Sequence, residues 1–489
     1  MIVEILGAKM LAPFTGLSHF VWTAQIAVTL VALACGYYVG GRLADRSQNL
    51  DRLYWSLLGA AAYLAFTVLI CKPVANWCLD FKLAMGSLLA STILFFVPLA
   101  AMAMTGPFLV RVITSAVSGV GGSVGRLTSI STLGSFIGTL LVAYLMVPFL
   151  PNSFTMYLTS LGLLAVCGGY FLFFRRRMGA LATILGITLI TGLPVRQTWT
   201  PSYRSMTLLF SGNSHFGELE VVDDRDRSGE TCRYYYNDRL TQNTYDPILK
   251  KSRSQFTYML AGLARCYTTN TQDVLCIGLG VGIVPMDFAR HGARVDVVEI
   301  NPAVAPVAAR FFDLDTNKIS LTIDDGRHYL NKCSKQYDAV ILDAFLGDSS
   351  PSHLLTREAF ASIRKVLRPG SVLVINAFAD LETGSDFFGA SVHKTLKSIF
   401  RGVRIHSNGD GALFYVATDR TPMEFLHPPD YAEVHPHVVN YAKQTYAGIV
   451  DTQAEHGRVL TDDYNPVEFY DAHNRENLRR YLAKRAIDL

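Results

Sequence analysis

Charge is scarce in this chain. Of its 489 residues 17% are charged and 50% hydrophobic, and the mean hydropathy of +0.25 excludes an ordinary soluble protein of this length. Net charge is only +4, and the basic residues gather beside apolar runs, so the broad electrostatic footprint of a nucleic-acid binder is missing. The eight cysteines have no CxxC spacing. Cys35, Cys71, Cys78 and Cys167 fall in or beside apolar runs, and Cys232, Cys266, Cys276 and Cys333 are scattered. They read as packing residues, with neither a disulfide framework nor a metal centre expected. A cleavable signal peptide is not expected either, because Glu4 and Lys9 interrupt the first apolar residues and no small-residue cleavage motif follows.

The apolar residues are concentrated before Pro194. A bilayer crossing takes about 20 of them, and runs of that order lie at 17–40, 54–79, 83–110, 127–150 and 154–174, with 178–194 reading as short, interfacial or re-entrant. Arg42, Arg46 and Arg52 follow the first run, Arg111 and Arg126 the third, and Arg175, Arg176 and Arg177 the fifth. That asymmetry places these loops on the cytoplasmic side. The runs are nearly free of ionisable residues away from their ends, which speaks against a transporter carrying polar cargo. Small residues, as in "GSFIGTLLVAYL", suit helix packing within one chain or in a homodimer. A multi-pass helical domain over 1–196, partnered by the lipid bilayer, is expected.

From about 205 the periodicity changes. "FGELEVVDD" and "TCRYYYNDRL" alternate like strands, with Asn-Asp as the turn, predicting a β-hairpin lid over 205–250. Beyond a helix near 252–266, strand and helix patterns alternate through "DVLCIG", "RVDVVEI", "SLTIDD", "YDAVILDAF" and "SVLVINAF". Such alternation predicts an α/β Rossmann-like domain over 251–489, a parallel sheet wrapped by helices. Ligands in such sheets bind beyond the carboxyl ends of the strands. There stand Gly278, Gly280 and Gly282, suited to a tight turn or to a close backbone approach to a ligand. Glu299 ends the next strand, as a ribose acceptor or the cap of the following helix. Asp324 and Asp325 end another, as an acceptor from an adenine amino group or a helix cap. Together they point to an adenosine-containing small molecule. NAD fits poorly, since no second nucleotide-binding half is present.

The order of glycine loop, acidic strand end, acid-Gly and "VILDAF" resembles the S-adenosylmethionine-binding sheet of class I methyltransferases, and more specifically the spermidine synthases, the polyamine aminopropyltransferases. That resemblance runs from about 205 to 420. A closer one, to bacterial membrane-fused spermidine synthase-like proteins, spans nearly the whole chain through "LAPFTGLSHFVWTAQI", "GYYVGGRLADR", "DAFLGDSSPSHLLT" and "LTDDYNPVEFY". It implies a multi-pass protein of the bacterial inner membrane with the catalytic domain on the cytoplasmic face. It also implies S-adenosylmethionine or its decarboxylated form as substrate, held by Gln242, Gly278, Gly280, Gly282, Glu299, Asp325 and Gly326. Asp343 falls on the family's catalytic base, which takes a proton from the attacking amine as 5'-methylthioadenosine leaves; its rival role is a capping or ion-paired strand-end aspartate. Tyr258 and Asp348 are the candidate residues on the acceptor side.

The departures are specific. Val281 stands where the family has an aspartate for the amino group of the decarboxylated donor, and Leu346 where an aspartate grips the polyamine. The His-Glu pair after Tyr258 is missing from "FTYMLAGL". Loss of the loop aspartate removes a repulsion against the carboxylate of intact S-adenosylmethionine. The attacking group could then be another amine, water or the donor's own carboxylate, with base-promoted elimination a further route. A methyltransferase and a transporter with a nucleoside-sensing domain are the rival readings. Asp348 reads as a turn residue, His353 as packed or solvated, and Asp463 as a helix N-cap.

Overall fold

In the computed structural model, residues 1–470 are described apart from 17–18, 48, 115–119, 177, 199–205, 226–228, 345–350, 381–385 and 453–454. The chain divides into two compact units near residue 203. The first is helical. Five helices are long and apolar enough to cross a membrane: Phe20–Arg46, Leu50–Cys78, Leu83–Ile113, Val120–Met146 and Asn152–Arg175. These match the five apolar runs. The sixth run lies in the 21-residue helix Met178–Thr198, of which Ala182–Gly192 is the apolar stretch among the described residues. A helix that the periodicity did not predict, Ile2–Thr15, precedes them and buries Leu6 and Leu11.

Close helix contact in this unit rests on glycine. A Cβ on Gly36 would lie 2.2 Å from the Ala100 carbonyl oxygen, and one on Gly40 would lie 2.6 Å from the Met104 Cα. The four-residue spacing of "GYYVG" thus lets Phe20–Arg46 and Leu83–Ile113 meet backbone to backbone, the small-residue packing that apolar helices use in lipid. At one end of the bundle, Asp51 accepts from the Tyr170 hydroxyl at 2.7 Å and from the Arg175 Nε at 2.7 Å.

The second unit carries two sheets. A five-stranded sheet is ordered β1 (Met206–Ser214), β2 (Gly217–Arg225), β3 (Thr231–Asn237), β4 (Leu240–Asp246), β5 (Lys251–Ser252). The expected hairpin is therefore the centre of a larger sheet. Its turn is centred on Asp238 and Arg239, both at positive φ, one residue beyond the Asn-Asp pair. That backbone matches the twist of paired strands. The bidentate pair of Arg233 with Asp223, at 2.7 and 2.9 Å, crosses β2 and β3.

The larger sheet contains β6 (Asp273–Ile277), β7 (Arg294–Glu299), β8 (Ser320–Ile323), β9 (Tyr337–Leu342), β10 (Leu367–Phe378), β11 (Gly402–His406), β12 (Ala412–Thr418) and β13 (Ile449–Val450). Their spatial order is β13-β11-β12-β10-β9-β6-β7-β8. Strands β8, β7, β6, β9 and β10 pair in parallel, and β12 enters antiparallel. This is a class I methyltransferase-like fold. Alternation divides the core: Val274, Cys276, Val297, Ile341 and Val374 face one apolar cluster, and Leu275, Ile277, Val298, Leu342 and Ile375 the other. The helix Gln255–Tyr267 and the β2–β4 residues Leu219, Val221, Tyr235 and Tyr245 cover the first face. The chain order reverses between β6 and β9, the position at whose carboxyl ends sheets of this kind bind ligands.

Candidate active site

The reversal sets two loops side by side. Gly278, the first residue after β6, has φ +99°, and a Cβ there would lie 2.1 Å from the carbonyl oxygen of Asp343, the first residue after β9. The Asp343 N–H donates to the Ile277 carbonyl at 2.9 Å. Gly280 has φ +52° and open space around it, while Gly282 has φ +83°, and a Cβ there would lie 2.7 Å from Leu314 Cδ1. Gly282 then opens the helix Ile283–Arg290. The tight-turn reading holds, and the close approach at Gly278 is to the backbone of Asp343.

Glu299, at the end of β7, reaches back to this loop. One carboxylate oxygen accepts from the Leu279 N–H at 2.9 Å and the other from the Asn301 N–H at 2.8 Å. Burial pushes its carboxyl up, against the pull of these amides. It is a buried acceptor held at the lip of the loop. Tyr235 of the small sheet lies within its field, its phenol raised by burial and by the Glu299 charge.

Asp325 is a helix cap and more. One oxygen accepts from the Arg327 and His328 N–H groups at 2.9 and 3.0 Å, and the other is 2.9 Å from His353 Nε2. Burial opposes its ionisation, but these partners together hold the carboxyl below the ordinary range. His353 is solvated, as one of its two expected readings had it, with a 54% exposed side chain, and also pairs with the candidate adenine acceptor. Gly326 is required by packing, since a Cβ would lie 2.6 Å from Ile277 Cγ2. Asp324 instead pairs with His328 at 2.7 Å. Nearby, Asp462 accepts from Thr356 at 2.6 Å and from Arg327 at 2.9 Å. Asp463, expected as a helix N-cap, is exposed; ahead of the helix Val467–Tyr470 it is Asn465 that accepts, from the Val467 N–H at 3.3 Å.

Asp343 faces the same side of the sheet as Cys276, Glu299 and Asn376, because all four share the alternation of the first cluster. Burial pushes its carboxyl up to about 6, with the Glu299 charge adding and a hydrogen bond from Asn376 opposing. That bond, from Asn376 Nδ2 to Asp343 Oδ1, is 3.0 Å. Asp343 is therefore neither a helix cap nor an ion-paired residue among the described residues. Asn376 was missed: a polar residue ending the apolar run "SVLVIN" was the available signal, but only the pairing of β9 with β10 gives it a partner.

Three expectations fare differently. Tyr258 donates its hydroxyl to the Ser252 carbonyl at 2.8 Å, bracing β5 where a substrate contact was expected. Gln242 is the extra residue of a bulge between β3 and β4 and donates to the Leu240 carbonyl at 3.3 Å. Asp348 and Leu346 lie outside the described residues. Val281, at the loop position where the family has an aspartate, is a core residue with 1% exposure.

The class I methyltransferase-like sheet thus carries a glycine loop, an acidic lip and a half-buried strand-end aspartate at the carboxyl ends of its strands. Residues 254–406 match the spermine/spermidine synthase domain, and this part of the chain is spermidine synthase-like. It is 26% identical to the polyamine aminopropyltransferase of Vibrio vulnificus over 283 residues, 53% of this chain and 90% of that protein. It is 29% identical to the N-terminal histidine N-methyltransferase of Emericella nidulans over 216 residues, 39% of this chain and 38% of that one. Spermidine synthase from Thermotoga maritima superposes with a TM-score of 0.38 at 18% identity, covering 49% of this chain and 87% of that one.

Proposed function

We propose that this chain is a membrane-integral enzyme that cleaves S-adenosylmethionine or its decarboxylated form at the sulfonium and releases 5'-methylthioadenosine. The supporting observation is Asp343: a half-buried carboxylate at the topological reversal, touching the glycine loop through its backbone and titrating near neutrality. A base with a pKa close to working pH is both ionised and able to accept a proton. In the step supported here, an ammonium nucleophile gives one proton to Asp343. Its nitrogen lone pair forms a bond to the carbon beside sulfur, the carbon–sulfur electrons return to sulfur, and neutral methylthioadenosine leaves.

Glu299 suits the ribose hydroxyls and Asp325 the adenine amino group. The buried Val281 offers the donor's amino end no charge, which leaves room for the undecarboxylated molecule. Its own carboxylate could then serve as the nucleophile, closing a lactone, or a base-promoted elimination could give the same nucleoside. The membrane helices act as an anchor, with the catalytic domain on the cytoplasmic face where such donors are made. A methyltransferase is the second reading, favoured by the likeness to the histidine N-methyltransferase, and it would release S-adenosylhomocysteine instead.

The test is to incubate the purified protein with S-adenosylmethionine alone, and with decarboxylated donor plus putrescine, and to identify the nucleosides by mass spectrometry. Methylthioadenosine is expected, and the Asp343→Asn variant should make it about 10²–10⁴-fold more slowly. S-adenosylhomocysteine, or no turnover of either donor, overturns the reading.

A further inference from the structure

Asn376 is 2% exposed, and its amide is only half used. The Nδ2 group donates to Asp343 at 3.0 Å, while Oδ1 is buried with no hydrogen-bond partner among the described residues. The amide cannot be turned to relieve this, because an ionised carboxylate only accepts, and reversal would set two acceptors against each other. A buried acceptor beside the reacting carboxylate is costly to leave unsatisfied. Its natural partner is a donor that arrives with the substrate.

We propose that Asn376 positions the Asp343 carboxylate and offers Oδ1 as a second acceptor to the attacking nitrogen, so that the site takes a primary amine in preference to the donor's own carboxylate. This rests on the functional reading above and narrows its nucleophile. An ammonium carries three N–H donors: one for Asp343, one for Asn376 and one to spare. A carboxylate nucleophile carries none, and would face two acceptors with nothing to give them. Loss of the polyamine-gripping aspartate at Leu346 is then no loss at the reacting nitrogen, which is held from β10 instead.

The groups that face Asp343 from the packed elements are Cys276 from β6, Glu299 from the end of β7 and Asn376 from β10. The Cys276 thiol is pushed up by burial and by the Asp343 charge, so it stays neutral. The Glu299 charge raises Asp343 and Asn376 lowers it. Removing the amide should therefore move Asp343 upward.

The experiment compares the full-length wild type with Asn376→Leu. Expected are a fall of ~10–100-fold in kcat/KM for the amine, an acid limb displaced upward by about one pH unit, and methylthioadenosine affinity by calorimetry within about twofold of wild type. A fall in turnover with an unmoved acid limb, or with nucleoside affinity falling in parallel, overturns the proposal. So does a variant that still prefers the amine over lactone formation. If the leucine variant does not accumulate, Asn376→Asp keeps the shape, and its acid limb should rise further. A wild type that forms no methylthioadenosine with any amine sinks the functional reading and the amine preference with it. In that case the carbon-13 carboxyl titration of Asp343 still decides the positioning role: a midpoint unchanged by Asn376→Leu ends it.

Discussion

Gly278 concentrates the physics of the site in one position. Its φ of +99° disfavours any side chain, and a methyl group would sit 2.1 Å from the Asp343 carbonyl. That atom is backbone held by the Ile277–Asp343 hydrogen bond, so it cannot swing aside. Gly278→Ala should therefore lower stability by more than about 2 kcal/mol, read as a drop in thermal midpoint, and should weaken methylthioadenosine binding through the displaced loop. An unchanged midpoint would mean that the two loops are not pressed together. The pH dependence of turnover belongs to Asp343. Activity should fall as pH drops through about 6, because the protonated acid can no longer take a proton, and the Asp343→Asn residue activity should lack that limb. Gly278, Glu299 and Asp343 were legible in the sequence, since each is the first polar or glycine residue after an apolar run, and Asp325 follows one residue later, after Asp324. Asn376 obeys the same rule and still carried no meaning, because its role depends on which strand lies beside it. The committed hydroxyl of Tyr258 was invisible for a like reason: its partner is a backbone carbonyl at Ser252.

At the scale of elements, the amino ends of the central strands are fastened by an ion network. Arg294 grips Asp273 at 2.8 Å through both oxygens. Arg368 bridges Asp273 and Asp338 at 2.7 and 2.6 Å, and Asp338 accepts from the Gln272 and Asp273 N–H groups at 2.9 Å each. Asp273 is 2% exposed. The hydrogen bonds of Arg294 first, then of Arg368, outweigh burial and hold its carboxyl well below the usual range. A folded-state pKa below the unfolded one means stability that is present above about pH 4 and lost as pH falls below it. Asp273→Asn should thus cost ~1–3 kcal/mol at pH 7, in denaturant unfolding followed through the α/β unit, and the gap from wild type should narrow steadily below pH 4. A gap independent of pH would assign the loss to packing. This network sits at the end of the sheet opposite the glycine loop, so turnover per folded molecule should be little changed. The strands β2, β3 and β6 to β10 were readable from alternation and apolar runs, whereas β1, β11 and β12 were not read. The short β5 and β13 were not, because two-residue strands have no periodicity and exist only through their neighbours.

For the whole molecule, the proposed topology rests on the five long apolar helices and on arginines near their ends: Arg42, Arg46, Arg111 and Arg175 in the last turns of the first, third and fifth, and Arg52 in the first turn of the second, while Arg126 falls inside the fourth. With the sixth segment read as interfacial or re-entrant, the portion from 205 onward is proposed to face the cytoplasm. Protease added to inverted inner-membrane vesicles should digest that portion, and right-side-out vesicles should protect it. Digestion only from the outside would show that the helix Met178–Thr198 crosses after all.

The sequence by itself determined the division into an apolar helical part and an α/β part, the positions of the five long helices, the strand order along the chain and the residues at the carboxyl ends of the strands. These are local or periodic properties, written in runs and alternations of neighbouring residues. Tertiary structure alone decided that Gly278 meets Asp343, that Glu299 closes over the glycine loop, that His353 pairs with Asp325 and that Asn376 stands against Asp343. Each of these joins residues some 20 to 65 positions apart across parallel strands or between loops. Their contact depends on the crossover order of the sheet, a property that no short stretch of the chain contains.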